Sequence, residues 1–258
     1  GLARAENDSD GRLSVVPVVT PFRFVNALWG TSSLLYVATS EGLFSSGDGV
    51  HFERSKFVEG AVVSLAFDGT SLWATTPGAL YRVRHEEKGP RSDVWWTPGG
   101  SRSLQKVTAS PGHVWVATED RGAVHMTTTA RTRAKDKPFE VFDRTTAAPS
   151  SWLLEAARLD DGAVLWGTLN QGIFLREIDG SLRPLPTDNP WCWTVHPDSE
   201  SAWLGTQGGA VHWSRAGTSR ITGLPDPRVH VFLRTTRAGR AGVWIGTENG
   251  LAWVEAER

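Results

Sequence analysis

The chain has 258 residues and a formal net charge of -1, so it lacks the basic excess that nucleic-acid binding draws on. Cys192 is the only cysteine, which excludes an internal disulfide framework, and no apolar run approaches the ~18 residues of a membrane span. With 27 Gly, 14 Pro, 13 Trp and one Met, the composition favours short β-strands joined by tight turns.

In chain order, residues 1–11 read as a polar N-terminal tail with no charged-then-apolar leader. Residues 12–258 read as one domain. Its first segment, residues 12–19, is strand-like, and Pro17 suits an outermost strand because such a strand tolerates a missing N–H.

From Val25 onward one short pattern recurs six times: an aromatic, a small residue, a Thr, then a turn with Gly. The copies are Tyr36-Val-Ala-Thr39, Trp73-Ala-Thr-Thr76, Trp115-Val-Ala-Thr118, Trp166-Gly-Thr168, Trp203-Leu-Gly-Thr206 and Trp244-Ile-Gly-Thr247. In the fourth, Leu165 takes the aromatic slot and Trp166 sits one residue closer to the Thr. The Thr residues lie 37, 42, 50, 38 and 41 apart, the length of a four-stranded propeller blade. Each copy leads into a hairpin signal: Glu41-Gly42, Pro77-Gly78, Arg121-Gly122, Gln171-Gly172, Gly208-Gly209 and Asn249-Gly250. Before each lies a strand of V-x-x-L shape, such as Val62-Val-Ser-Leu65. These strands are named A, B and C, with a more variable D completing each blade.

The expected fold is therefore all-β: a six-bladed β-propeller of four-stranded antiparallel blades. After Thr247 only strand C of the last blade fits, so residues 12–19 are expected to supply its fourth strand and close the ring. The longest interval, Thr118 to Thr168, is too short for a seventh blade. Its excess falls in Arg131–Lys137, expected as an extended hairpin between strands C and D.

The best copies are Ile221-Thr-Gly-Leu-Pro-Asp-Pro-Arg-Val229 and Val243-Trp-Ile-Gly-Thr-Glu-Asn-Gly-Leu251. They resemble the two-component-regulator propeller repeat, which runs GLP-x-x-x-V, then LWIGT-x-x-GL. The resemblance covers Val25 to the C-terminus in six degenerate copies. It implies a sensor-type propeller, a binding role, and a periplasmic or extracellular location over a cytoplasmic one. Separately, Ser46-Gly-Asp48-Gly-Val-His-Phe52 is similar to an Asp-box turn shortened by one residue, a device that stabilises a hairpin.

Trp73, Trp115, Trp203 and Trp244 recur in one repeat position and read as blade-packing residues. A functional residue should instead break the repeat near the channel mouth. Treating Val25, Val62, Leu104, Leu154, Cys192 and Val229 as equivalent starts of strand A, the next position reads Asn26, Val63, Gln105, Glu155, Trp193 and His230. The position before reads Phe24, Ala61, Ser103, Leu153, Trp191 and Arg228. The B–C turns should ring the same face and bring Asn170 and Gln171 nearby. The expected ligand-binding set is thus Asn26, Gln105, Trp152, Glu155, Trp191, Trp193, Arg228, His230, Asn170 and Gln171. An aromatic wall with a few polar groups suits a small molecule or a peptide; the alternative is that these Trp residues only fill the channel.

Chemistry is thinly signalled. Glu155 and His230 form the one candidate acid–base pair, which would make the chain a lyase, hydrolase or isomerase without an organic cofactor. The seven His residues show no metal-ligand spacing, so no metal is expected. No Gly-rich phosphate loop and no G-x-S-x-G elbow occur, and no cofactor is implied. The leading expectation is a recognition module that binds at one channel mouth, without nucleic-acid partners or membrane insertion. A protein-interaction scaffold is the third reading, using the outer strands or Arg131–Lys137.

Overall fold

A computed structural model describes residues 1–7, 13–86, 89–98, 104–128, 139–143, 148–150, 152–187, 189–237 and 239–255. The described residues form strands and turns with no helix, and the fold is a six-bladed β-propeller. Ahead of the blades come β1 (Leu2–Asn7) and β2 (Leu13–Val18). Blade 1 holds β3 (Val25–Gly30), β4 (Leu35–Thr39), β5 (Gly42–Ser46) and β6 (Glu53–Arg54). Blade 2 holds β7 (Ser64–Phe67), β8 (Leu72–Thr76), β9 (Ala79–Glu86) and β10 (Gly89–Trp96). Blade 3 holds β11 (Leu104–Ser110), β12 (His113–Thr118), β13 (Ala123–Thr127) and β14 (Phe139–Phe142). Blade 4 holds β15 (Leu153–Arg158), β16 (Val164–Thr168), β17 (Ile173–Arg176) and β18 (Leu182–Pro184). Blade 5 holds β19 (Cys192–Asp198), β20 (Ser201–Thr206), β21 (Gly209–Ser214) and β22 (Gly217–Ile221). Blade 6 holds β23 (Val229–Arg237), β24 (Arg240–Thr247) and β25 (Gly250–Glu255). Within each sheet the strands follow chain order. The chain divides into two compact units, Gly1–Gly112 with Thr128–Lys137, and His113–Thr127 with Pro138–Arg258.

The N-terminal expectation needs correction. Among the described residues the segment 12–19 does not complete the last blade: β2 pairs with β1, Leu2↔Val18 through Asn7↔Leu13, in a sheet of its own, and the last sheet has three strands. Residues 1–11 are likewise not all tail. Leu2 packs against the buried cluster of Phe22, Val37 and Phe44, so the segment has an apolar anchor. Pairing with β1 also closes only a short loop, which costs less chain entropy than a partner over 230 residues away. The expected hairpin at Arg131–Lys137 lies outside the described residues.

The six repeat Thr residues share one task. Each hydroxyl donates across its B–C turn to a backbone carbonyl: Thr39 to Gly42, Thr76 to Ala79, Thr118 to Gly122, Thr168 to Gly172, Thr206 to Gly209 and Thr247 to Gly250, at 2.8–3.3 Å. In five of them the same oxygen also accepts a turn N–H. A Val of the same shape would leave both groups without that partner, which is why Thr recurs. The following Gly is needed most at Gly122, where φ is +70° and a Cβ would sit 2.1 Å from the Phe142 carbonyl oxygen.

The small residue before Thr is a socket for the next blade. A Cβ on Gly167 would lie 2.4 Å from Cys192 Sγ, and one on Gly205 would lie 2.8 Å from Val229 Cγ1. Strand A of blades 5 and 6 thus seats its first side chain where the preceding blade has none. The aromatic slot is equally repetitive. Trp115 stacks on His125 at 4.2 Å, Trp203 packs tilted against His212 at 4.6 Å and Trp244 against Trp253 at 5.2 Å, while Arg82 covers Trp73 at 5.3 Å. In each pair the partner is the residue directly opposite on strand C. The turn Ser46–Phe52 behaves as the Asp-box similarity implies: Asp48 Oδ1 accepts the N–H groups of Val50 and His51.

Candidate functional site

In the second unit, strands β15, β19 and β23 lie side by side as the first strands of blades 4, 5 and 6. They share one register. Leu153, Cys192 and Val229 each pair with the repeat Thr of their own blade, the next residue is passed over in a bulge, and pairing resumes at Glu155, Thr194 and Val231. The bulged residues are therefore Leu154, Trp193 and His230. The sequence alignment slips by one residue in blade 4, because Leu153 and Leu154 satisfy the apolar pattern equally well.

The corrected register brings the extra Trp residues into line. The position before strand A is Trp152, Trp191 and Arg228, and in the first unit Phe24. Each backbone carbonyl accepts the N–H of the residue after the repeat Thr: Leu169 to Trp152 at 3.4 Å, Gln207 to Trp191 at 3.0 Å and Glu248 to Arg228 at 3.0 Å. Each backbone N–H is held by the side chain two residues earlier: Ser150, Asn189 and Asp226 accept at 3.1, 2.9 and 2.9 Å. The backbone is pinned on both sides while the side chains stand outward. Trp152 is 42% exposed, Trp191 41%, and Phe24 67%. Asn170 and Gln171 are exposed on the turn that follows Leu169.

Around this rim the polar groups are organised by Asp226. Its carboxylate takes the Arg228 guanidinium at 3.0 Å on both oxygens and the Asn249 amide at 2.7 Å, which holds its pKa well below the usual carboxylate range. His230 Nε2 pairs with Glu248 at 2.8 Å, and its ring lies 5.7 Å from that of Trp193. Trp193 is half-buried, and its indole N–H finds no partner among the described residues. Ser150, Asn189, Asp226, Glu248 and Asn249 were not singled out from sequence. The signal for three of them was present: Ser150-x-Trp152, Asn189-Pro-Trp191 and Asp226-Pro-Arg228 are side-chain-capped turns.

Glu155 belongs elsewhere. It is buried, and Oε2 accepts the Val195 N–H at 2.7 Å, bridging blade 4 to blade 5. In the first unit Ser64 does the same for Val107 N–H at 3.3 Å, from the equivalent place in blade 2. Glu155 and His230 are thus each committed to other partners. Asn26 donates to the Val62 carbonyl at 2.7 Å and bridges blades 1 and 2, and Gln105 is half-buried on β11. Among the described residues, no three His, Cys, Asp or Glu side chains are grouped to hold a metal ion.

No family model matches the chain, and no curated protein matches it. Solved structures do. The extracellular domain of the hybrid two-component system BT3049 from B. thetaiotaomicron superposes with a TM-score of 0.72 at 19% identity, over 91% of this chain and 34% of that one. The extracellular domain of BT4673 from the same organism gives 0.71 at 13% identity, over 97% and 37%. PorZ, a surface component of the type-IX secretion system of Porphyromonas gingivalis, gives 0.66 at 16% identity, over 91% and 39%. The chain spans little more than a third of the length of these structures. At such identities the likeness is one of fold.

Chemically, the rim offers two outward indoles on a fixed backbone, a third at half depth, one guanidinium and one His–Glu pair. Large aromatic faces flanked by hydrogen-bonding groups can stack on and bury an apolar surface. Among the described residues, no helix is long and apolar enough to cross a membrane.

Proposed function

We propose that this chain is a recognition module that binds a small molecule or a peptide on the rim built by Trp152, Trp191, Trp193, Arg228 and His230, with Asn170 and Gln171 at its edge. One observation carries the reading: Trp152 and Trp191 occupy the same repeat position, pinned on both sides, with two-fifths of their surface uncovered. Filler would be buried. Covering an indole is worth roughly 2 kcal/mol from apolar area alone, and a fixed backbone spares most of the ordering cost. The GLP and LWIGT-like segments of the last blade support membership of the two-component-regulator propeller class. The signalling context and extracellular placement of BT3049 and BT4673 support a sensor role outside the cytoplasm. An acid–base reading gains no support, since Glu155 serves Val195 and His230 serves Glu248.

The test is titration calorimetry with peptide and metabolite panels on the full chain and on Trp152→Ala/Trp191→Ala. Any peptide ligand, or any metabolite larger than a single amino acid, should lose about tenfold or more in affinity while the melting temperature holds. Undiminished binding of such a ligand by the double variant would refute the assignment.

A further inference from the structure

At the opposite end of β19 and β20 from the rim, a cavity of about 320 Å³ opens between blades 5 and 6 of the second unit. Its back wall is a locked aromatic pair. Ser201 Oγ donates to the Asp198 carbonyl at 2.8 Å, so it receives the His212 Nε2–H at 3.3 Å, and Trp203 packs tilted against the imidazole at 4.6 Å. Ile221 and Val254 supply apolar surface.

Charges of both signs line the same space. Arg234 gives one guanidinium N–H to Asp198 Oδ1, and Glu255 Oε1 pairs with Arg240 at 2.9 Å. No other bond is described for the rest of the Arg234 fork, for Asp198 Oδ2 or for Glu255 Oε2, among the described residues. Arg234 is half exposed, and such pairs yield readily to a competing partner. The junction between blades 4 and 5 is closed differently. There Arg215 reaches from the turn after β21 to Asp161 and Glu177 and spans the gap itself.

We infer that this cavity binds a free α-amino acid with an apolar side chain. The carboxylate meets the Arg234 fork, the ammonium meets the free oxygens of Asp198 and Glu255, and the side chain lies against Ile221 and Val254. A space of this size sits at the lower end for small-molecule sites, which fits one residue better than a peptide. The inference is independent of the rim, which lies at the other end of the same strands.

Calorimetry on the full chain with L-leucine, N-acetyl-L-leucine and L-leucinamide tests it. Leucine should give a saturable isotherm, and each derivative, having lost one charge, should bind about tenfold weaker or worse. Arg234→Gln should weaken leucine to a similar extent and abolish discrimination against leucinamide. Ser219→Trp, on the exposed strand β22, should block binding without touching a charge. Trp152→Ala/Trp191→Ala should leave leucine binding unchanged. No saturable binding of leucine, phenylalanine or valine by the wild type would overturn the inference. So would wild-type affinity in both Arg234→Gln and Ser219→Trp.

Discussion

Adding one methyl group at Gly167 should loosen the joint between blades 4 and 5, and removing one sulfur should restore it. A Cβ at Gly167 would stand 2.4 Å from Cys192 Sγ and 3.3 Å from its Cβ, where ordinary contact begins at 3.4 Å. Cys192 is completely buried, so its sulfur must shift by about an ångström into packed surroundings. Overpacking of that kind costs about 1–3 kcal/mol, or about 2–4 °C of melting temperature per kcal/mol for a chain this long. Cys192→Ala alone removes one buried atom and should cost roughly 1 kcal/mol. In Gly167→Ala/Cys192→Ala the clash disappears, so the double variant should be more stable than the sum of the singles by about 1–2 kcal/mol. Urea unfolding measures this, with midpoints that move and slopes that do not. Strictly additive effects, or a silent Gly167→Ala, would refute the socket.

Glu155→Ala should cost about 1–3 kcal/mol by stranding the Val195 N–H, whereas Glu155→Gln, which keeps an acceptor, should be nearly neutral in the same unfolding assay. Thr206→Val should cost roughly 0.5–1.5 kcal/mol through loss of its bond to Gly209, measured as a fall in melting temperature. Burial, with His113 and Arg158 nearby, pushes His125 down to about 4 despite Glu140. The unfolded chain takes up that proton near 6.5, so its contribution should be complete above 6.5 and be lost as pH falls towards 4. His125→Gln should flatten that part of the stability–pH curve; an unchanged slope would place the acid sensitivity elsewhere.

Much of the fold was legible because the repeat is enforced by backbone chemistry. A Thr that clamps each B–C turn leaves the same trace six times over, and a Gly that admits the next blade marks blades 4 and 5. The N-terminus was misread for a corresponding reason. The residues of β2 suit either partner, and nothing in them marks β1 as the one chosen. The site was half legible. Trp152, Trp191, Trp193, Arg228 and His230 stood out because they break the repeat. Glu155 stood out only because Leu153-Leu154 concealed a one-residue slip; the bulge that fixes the register has no sequence mark there. The caps Ser150, Asn189 and Asp226 carried a readable turn signature, yet they attract notice only once the neighbouring rings are known to be exposed.

The most direct test of the recognition role is an indole N–H spectrum of the ¹⁵N-labelled chain during ligand titration, with Trp152 and Trp191 assigned by substitution. The account predicts that a bound peptide, or a metabolite larger than a single amino acid, shifts both of these signals saturably and leaves the buried Trp73 and Trp166 in place. A peptide, or a metabolite larger than a single amino acid, that binds without moving either Trp152 or Trp191 would contradict it.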